Sequence, residues 1–398
     1  MLCVLLTLAC LIHPLTGFAA PSSDPDLPGG RGEERTIGWA TYIIPMDNSK
    51  QRVQSGALQG AFNMRAYGLV NRLLWAGIPI MWAIDPDKTK EIGSNGEPID
   101  VPDFRAKVLQ VKPTMGVADE VLDFLGGPFL IPIKHTKQAD QIIDQFNALN
   151  PDAPVTVYVL RESAKIWIRY DLTHKPKVAV LNPFPIQDPF QNILARTDGF
   201  TLGAQYDVIN PAQAKTLPAN GCYTAVVAPH TQSDQVTPGM FETVREFVQN
   251  GGNLVAQCLA VETYEEHFTT TGTAQTMTGI DVANRSFPLE YPNPALAFSQ
   301  FEGPLNGAET GTFQDWTVRA GVPGGFINNT HVHAQNSKDR SVLTATVSKL
   351  TPGALGTLTF YLGGHNYSGS ADPGDINGLR MLLNAIMMPA KPQSCPAP

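Results

Sequence analysis

Apolar and polar positions are most regularly spaced between Thr237 and His267. Met240, Phe241, Val244, Phe247 and Val248 fall on one helical stripe, Thr237 and Pro238 supply an N-cap and a first helical residue, and Asn250-Gly251-Gly252 supplies a left-handed stop. The pattern predicts an amphipathic helix, then a short buried strand from Asn253 to Cys258. Cys258 ends that strand with small residues, Ala256 and Ala260, two positions to either side. A nucleophile elbow needs this spacing, because backbone and helix must approach closely around the reactive residue. A cysteine at the end of an apolar strand also reads as a small core side chain, and a thiolate-favouring setting separates the two.

The same patterning divides the rest of the chain. A strand over Thr36–Ile44, a helix over Gln54–Trp75 striped by Leu58, Phe62, Leu69 and Leu73, and a strand over Ile78–Ile84 predict a right-handed parallel crossover. After a Pro- and Gly-rich excursion to Gly126, the run Pro128–Ile133 predicts a strand that its two prolines make an edge or a strand start rather than a central member. A helix over Thr136–Leu149 and a strand over Val155–Leu160 complete an N-terminal α/β domain, residues 36–174. A second domain, residues 175–390, begins after Lys175-Pro176-Lys177 with strands at Val178–Leu181, Tyr206–Ile209 and Tyr223–Ala228. It contains a loop-rich insertion or lid at 268–329, two alternating strands at Val342–Val347 and Gly356–Leu362, and a last helix over Gly374–Met388, and a polar tail at 391–398 follows it. The expected fold is α/β, with two Rossmann-like or flavodoxin-like parallel-sheet domains.

At 398 residues the chain is long enough for two cores, and 43% hydrophobic content argues against wholesale disorder. A net charge of -8 without any Lys/Arg cluster argues against nucleic acid or anionic membrane as a partner. Residues 1–19 read as a secretory signal peptide and residues 20–35 as a disordered lead-in. No later apolar stretch is long enough for a membrane anchor, so the expected location is secreted and extracellular. Cleavage would leave Cys222, Cys258 and Cys395. On parallel neighbouring strands Cys222 and Cys258 would stand at opposite ends, roughly 15–20 Å apart, beyond disulfide reach. The predicted bond is Cys222 to Cys395, with Cys258 free. Asn284, Asn328 and Asn366 open N-x-[ST] glycosylation sequons.

From Lys177 onward the order of elements resembles the class I glutamine amidotransferase-like superfamily, which also has non-amidotransferase branches such as the trehalose-utilisation-like proteins. The matching positions are Cys258 in AQCLA and His365 in YLGGHNY. The resemblance implies an elbow thiol with His365 as its base and backbone N–H groups after Cys258 as oxyanion donors. Two departures stand out: alanines replace the elbow glycines, and Tyr367 stands where an acid would orient the imidazole. Glu262, Glu265 and Glu266 are the carboxylates near enough in sequence to serve instead.

His331 and His333 share one face if extended, and His230 and His267 could join them in a zinc-type set. No carboxylate stands at a diagnostic spacing, and no HExxH or GxGxxG occurs, so neither metal nor cofactor is predicted. Two functions follow. One is a secreted binding or extracellular-matrix protein, glycan- or mineral-associated, with an unknown extracellular partner and a catalytically altered amidotransferase-like fold. The other is an extracellular Cys-dependent hydrolase or amidase. The missing acid, the sequons and the thinly charged surface favour the first.

Overall fold

The computed structural model describes residues 24–94, 98–181, 189–214, 222–229, 231, 236, 238–283, 288–306, 315–320, 325–364 and 371–391. The fold is mixed α/β with several sheets. The first unit contains β1 (Glu33–Ile37), β2 (Tyr42–Ile44), α1 (Arg65–Trp75), β3 (Ile80–Ala83), β4 (Lys90–Ile92), β5 (Pro98–Asp100), β6 (Phe104–Lys112) and β7 (Glu120–Phe124). It continues with β8 (Phe129–Ile131), α2 (Ile133–Leu149), β9 (Val157–Leu160) and β10 (Ala164–Leu172).

Its main sheet has the order β1-β10-β3-β8-β2-β9-β6-β7, and every described strand pair in it is antiparallel. This corrects the parallel Rossmann-like expectation for residues 36–174. The strand–helix–strand units are present, but they interleave: β2 and β3 are parallel with β8 between them, and β8 and β9 are parallel with β2 between them. The central order β3-β8-β2-β9 is that of a split βαβ, ferredoxin-like sheet. Hydrophobic periodicity identifies strands without naming their neighbours, so the interleaving was not legible. Nor is β8 an edge strand. Pro128 and Pro132 flank it, leaving Phe129, Leu130 and Ile131 free to pair on both sides and fully buried.

Two further corrections concern the start of this unit. The helix expected from Gln54 begins at Arg65, because Gly56 and Gly60 take positive φ in the preceding loop and the Asn63 side chain accepts the Arg65 N–H at 3.1 Å. The lead-in expected to be disordered is held down from Asp24 onward. Asp24, Asp26 and Leu27 are buried, Arg169 Nε and Tyr170 Oη both donate to the Pro25 carbonyl, and the Lys349 ammonium pairs with Asp26. Composition alone missed these long-range partners.

The second unit contains β11 (Val178–Leu181), α3 (Pro189–Thr197), β12 (Tyr206–Ile209), α4 (Pro211–Ala214), β13 (Ala225–Ala228), α5 (Pro238–Gln249), β14 (Asn253–Gln257) and α6 (Leu259–Thr270). Then come β15 (Ile280–Ala283), β16 (Leu289–Glu290), β17 (Asp315–Val318), β18 (His331–Asn336), β19 (Leu343–Lys349), β20 (Leu358–Leu362) and α7 (Pro373–Met387). Here the parallel expectation holds for the core: β12-β11-β13-β14-β20 run parallel in the flavodoxin-like order. The antiparallel pairing of β19 with β20 matches the alternation seen in the sequence. Three short strands lie within the expected insertion: β17 and β15 extend the far edge of the sheet and β16 pairs β18.

One apolar cluster contains residues of both units, among them Leu69, Leu73, Phe129, Phe190, Ile193 and Leu379. At its centre α1 meets the turn after α3 so closely that a Cβ on Gly68 would lie 1.8 Å from the Thr197 carbonyl oxygen. Among the described residues no helix is long and apolar enough to cross a membrane.

Candidate functional site

Strand β14 is buried along its whole length, and α5 packs against one face through Met240, Phe241, Val244 and Phe247. The chain leaves the carboxyl end of β14 at Cys258 and enters α6 at Leu259, so Cys258 is the N-cap of that helix and not the last strand residue. Its backbone has φ 55° and ψ -128°. A residue with a Cβ holds this conformation only when its surroundings impose it, at a cost of order 1–3 kcal/mol. Two contacts do so: the Cys258 N–H donates to the Leu362 carbonyl at 2.9 Å, and its carbonyl accepts the Val261 N–H at 3.0 Å. This is the strand–turn–helix geometry of a nucleophile elbow, with the opening N–H groups of α6 directed at the turn.

The side chain of Cys258 is fully buried, and its sulfur is in no disulfide. Strand β20 lies directly beside β14, Leu362 opposite Gln257, so the segment leading to His365 departs next to the elbow. His365 itself lies outside the described residues, as do Asn366 and Tyr367.

The three candidate carboxylates part company. Glu262 stands half-buried in the first turn of α6, nearest the elbow. Glu265 points into the core, accepting from the Thr276 and Met277 N–H groups and, at 2.8 Å, from Tyr361 Oη. Burial raises its pKa despite those donors. Glu266 forms an ion pair with Arg319. Glu265 and Glu266 are thus held in structural contacts.

The described histidines make separate contacts. His331 and His333 do share a face, with ring centroids 5.1 Å apart, but His331 Nδ1 donates to the Asn329 carbonyl and His333 Nδ1 lies 2.7 Å from Ser299 Oγ. Burial pushes the His331 pKa down to about 4. His267 stacks on Phe241 and lies 3.2 Å from Glu242, and His230 is outside the described residues. Among the described residues no group of three His, Cys, Asp or Glu could hold a metal ion.

Cys222 is disulfide-bonded, while its expected partner Cys395 lies outside the described residues. Asn284 is outside them too. Asn328 donates through Nδ2 to the Ala274 and Gln275 carbonyls, so a glycan on that nitrogen would displace one of these bonds.

One residue escaped the sequence reading. Gln257, immediately before the elbow, is fully buried, and both polar atoms of its side-chain amide lack a hydrogen-bond partner among the described residues. An unsatisfied buried amide costs about 1–3 kcal/mol. The available signal was a polar side chain closing an otherwise apolar strand.

No known family profile matches the sequence, and no curated protein does. Among solved structures, a cytoplasmic protein from Salmonella typhimurium LT2, STM1381, is similar at 13% identity and a TM-score of 0.35, over 54% of this chain and 100% of its own. A ThuA-like protein from Bacteroides uniformis is similar at 14% identity and a TM-score of 0.32, over 52% of this chain and 88% of its own. A GMP synthase subunit from Thermoplasma acidophilum is similar at 11% identity and a TM-score of 0.31, over 53% of this chain and 92% of its own.

Proposed function

We propose that the second unit presents Cys258 as the nucleophile of an acyl-transfer site, acting on an amide or ester outside the cell, with His365 as its base. The observation that carries this reading is the backbone of Cys258, a φ of 55° at a strand–turn–helix junction. A cysteine serving only as core filler gains nothing from that conformation, which glycine would adopt without strain. In this reading His365 takes the thiol proton and the sulfur attacks the carbonyl carbon. The opening N–H groups of α6 stabilise the oxyanion, and the leaving group departs with the proton as a thioester forms. Water then hydrolyses the thioester. Glu262 orients His365 in place of the acid that Tyr367 replaces. A thiol kept out of any disulfide, in a chain whose Cys222 is disulfide-bonded, fits an oxidising compartment reached through a signal peptide.

The second reading is a secreted binding or matrix protein on a catalytically altered amidotransferase-like fold. The full burial of Cys258 favours it. Alkylation separates the two. With an active thiol, iodoacetamide labels Cys258 quickly near neutral pH and His365→Ala slows the labelling, because the thiolate loses its partner. Slow labelling indifferent to His365 would leave the binding reading, which glycopeptide mass spectrometry showing a glycan on Asn366 would reinforce.

A further inference from the structure

A cleft of about 260 Å³ lies on the seam between the units, away from the elbow, and nothing in the acyl-transfer reading uses it. Its walls are mainly apolar: Val53, Ala57, Leu58, Phe62 and Met64 from the loop before α1 and its end. Ser55 and Asn63 add polar atoms, and three charged residues also line it: Arg65 at the start of α1, Asp152 after α2, and Arg196 from α3 of the second unit.

The charges do not balance. Asp152 pairs with Arg65 at 3.0 Å, and the guanidinium holds that carboxyl below its ordinary range. Arg196 has no ion pair among the described residues, its Nη1 is buried without a hydrogen-bond partner, and burial alone pushes its pKa down. The Nε of Arg65 is likewise buried and unpartnered. A guanidinium does not lose its proton, so desolvating one without an opposing charge is costly unless an acceptor arrives.

We propose that this cleft binds a small organic monocarboxylate, its carboxylate on Arg196 and its apolar body against Leu58, Phe62 and Met64. A single negative charge fits because the lining carries one unmatched positive charge, and Asp152 repels a dianion. An apolar body fits because water there would meet few partners. Such a ligand touches both units and stabilises their docked arrangement.

The test is calorimetric titration of the full chain at low salt with benzoate, with benzyl alcohol and inorganic phosphate as comparison probes. Benzoate is expected to bind saturably and the other two not to. Arg196→Met, which keeps an unbranched apolar stem, should weaken benzoate by about tenfold or more, the scale of a hydrogen bond to a charged group. Ala57→Trp, on the exposed side of the loop, should block the cleft with Arg196 intact, and it carries the test if the first variant folds poorly. Absence of saturable benzoate binding, binding unchanged by both variants, or phosphate binding tighter than benzoate would each overturn the assignment.

Discussion

At Cys258 a side chain with a Cβ occupies backbone space that favours glycine. In the interior of a helix or strand, Ala is more stable than Gly by about 0.5–1 kcal/mol. Here strain of order 1–3 kcal/mol opposes that preference. Cys258→Gly is therefore expected to be at least as stable as Cys258→Ala in urea unfolding, although both lose the thiol. An alanine variant more stable by about 1 kcal/mol would mean that the turn is unstrained. The AQCLA spacing was legible because small residues are written in the sequence, whereas the φ of the central residue depends on the Leu362 contact and is not. The buried His331 makes the same point: its face could be read from alternation, its burial could not. Its folded pKa of about 4 lies below the unfolded value of about 6.5. As the pH falls through that window the unfolded chain takes up the proton first, and stability is lost at up to about 1.4 kcal/mol per pH unit. Arg169 and Asp24 also act on this imidazole, with opposite signs. Asp47, raised by burial to about 6, works the other way over the same range, so the whole-protein profile is mixed. The difference profile is clean. His331→Asn, whose amide can still donate to Asn329, should flatten the acid side of the stability curve between about pH 4 and 6.5, and an unchanged slope would place the proton uptake elsewhere.

At the scale of elements, helices and strands were readable wherever an apolar stripe was long, and their ends were set by local chemistry outside the stripe. Helix α1 kept its stripe from Leu69 to Leu73, but its start was decided by Gly56, Gly60 and the Asn63 side chain that accepts the Arg65 N–H. Strand β8 was found and misplaced, because prolines beside a strand and prolines within one look alike in a run of six residues. The contact of α1 with the turn after α3 had no sequence signature except Gly68 itself. A helix-interior glycine ordinarily costs about 1 kcal/mol against alanine. At Gly68 the sign should reverse, since the new Cβ would lie 1.8 Å from the Thr197 carbonyl oxygen and 2.8 Å from the Gly199 N, both backbone atoms. Gly68→Ala is expected to destabilise by about 1–3 kcal/mol, the usual range for overpacking. A gain in melting temperature would show that the helices separate at little cost.

For the whole molecule, the flavodoxin-like order of the second unit was within reach of pattern and resemblance, because each parallel strand is a continuous apolar run. The interleaved first sheet and the anchored segment from Asp24 were not, since both rest on partners far along the chain: Met81 opposite Leu130 and Tyr42 opposite Val159 in the sheet, Pro25 on Arg169 and Tyr170 in the segment. The same long-range ties bear on cooperativity. Arg380 of α7 is fully buried, donates to the Met46 carbonyl and Asn48 Oδ1 of the first unit, and lies 4.2 Å from the centre of the Phe62 ring. Tyr67 of α1 donates to Asn384 of α7 at 2.7 Å. With a shared apolar core around these bonds, neither unit can unfold without exposing the other's buried face. Scanning calorimetry of the full chain should therefore show one transition. Arg380→Met keeps an apolar stem across the seam but leaves the Met46 carbonyl short of a donor, a loss of about 1–3 kcal/mol confined to the interface. The variant is expected to melt lower and to broaden or split into two transitions, while benzoate, if it bridges Arg196 to the first unit, should draw them back together. Two resolved transitions in the unaltered protein would mean that the shared core does not couple the units.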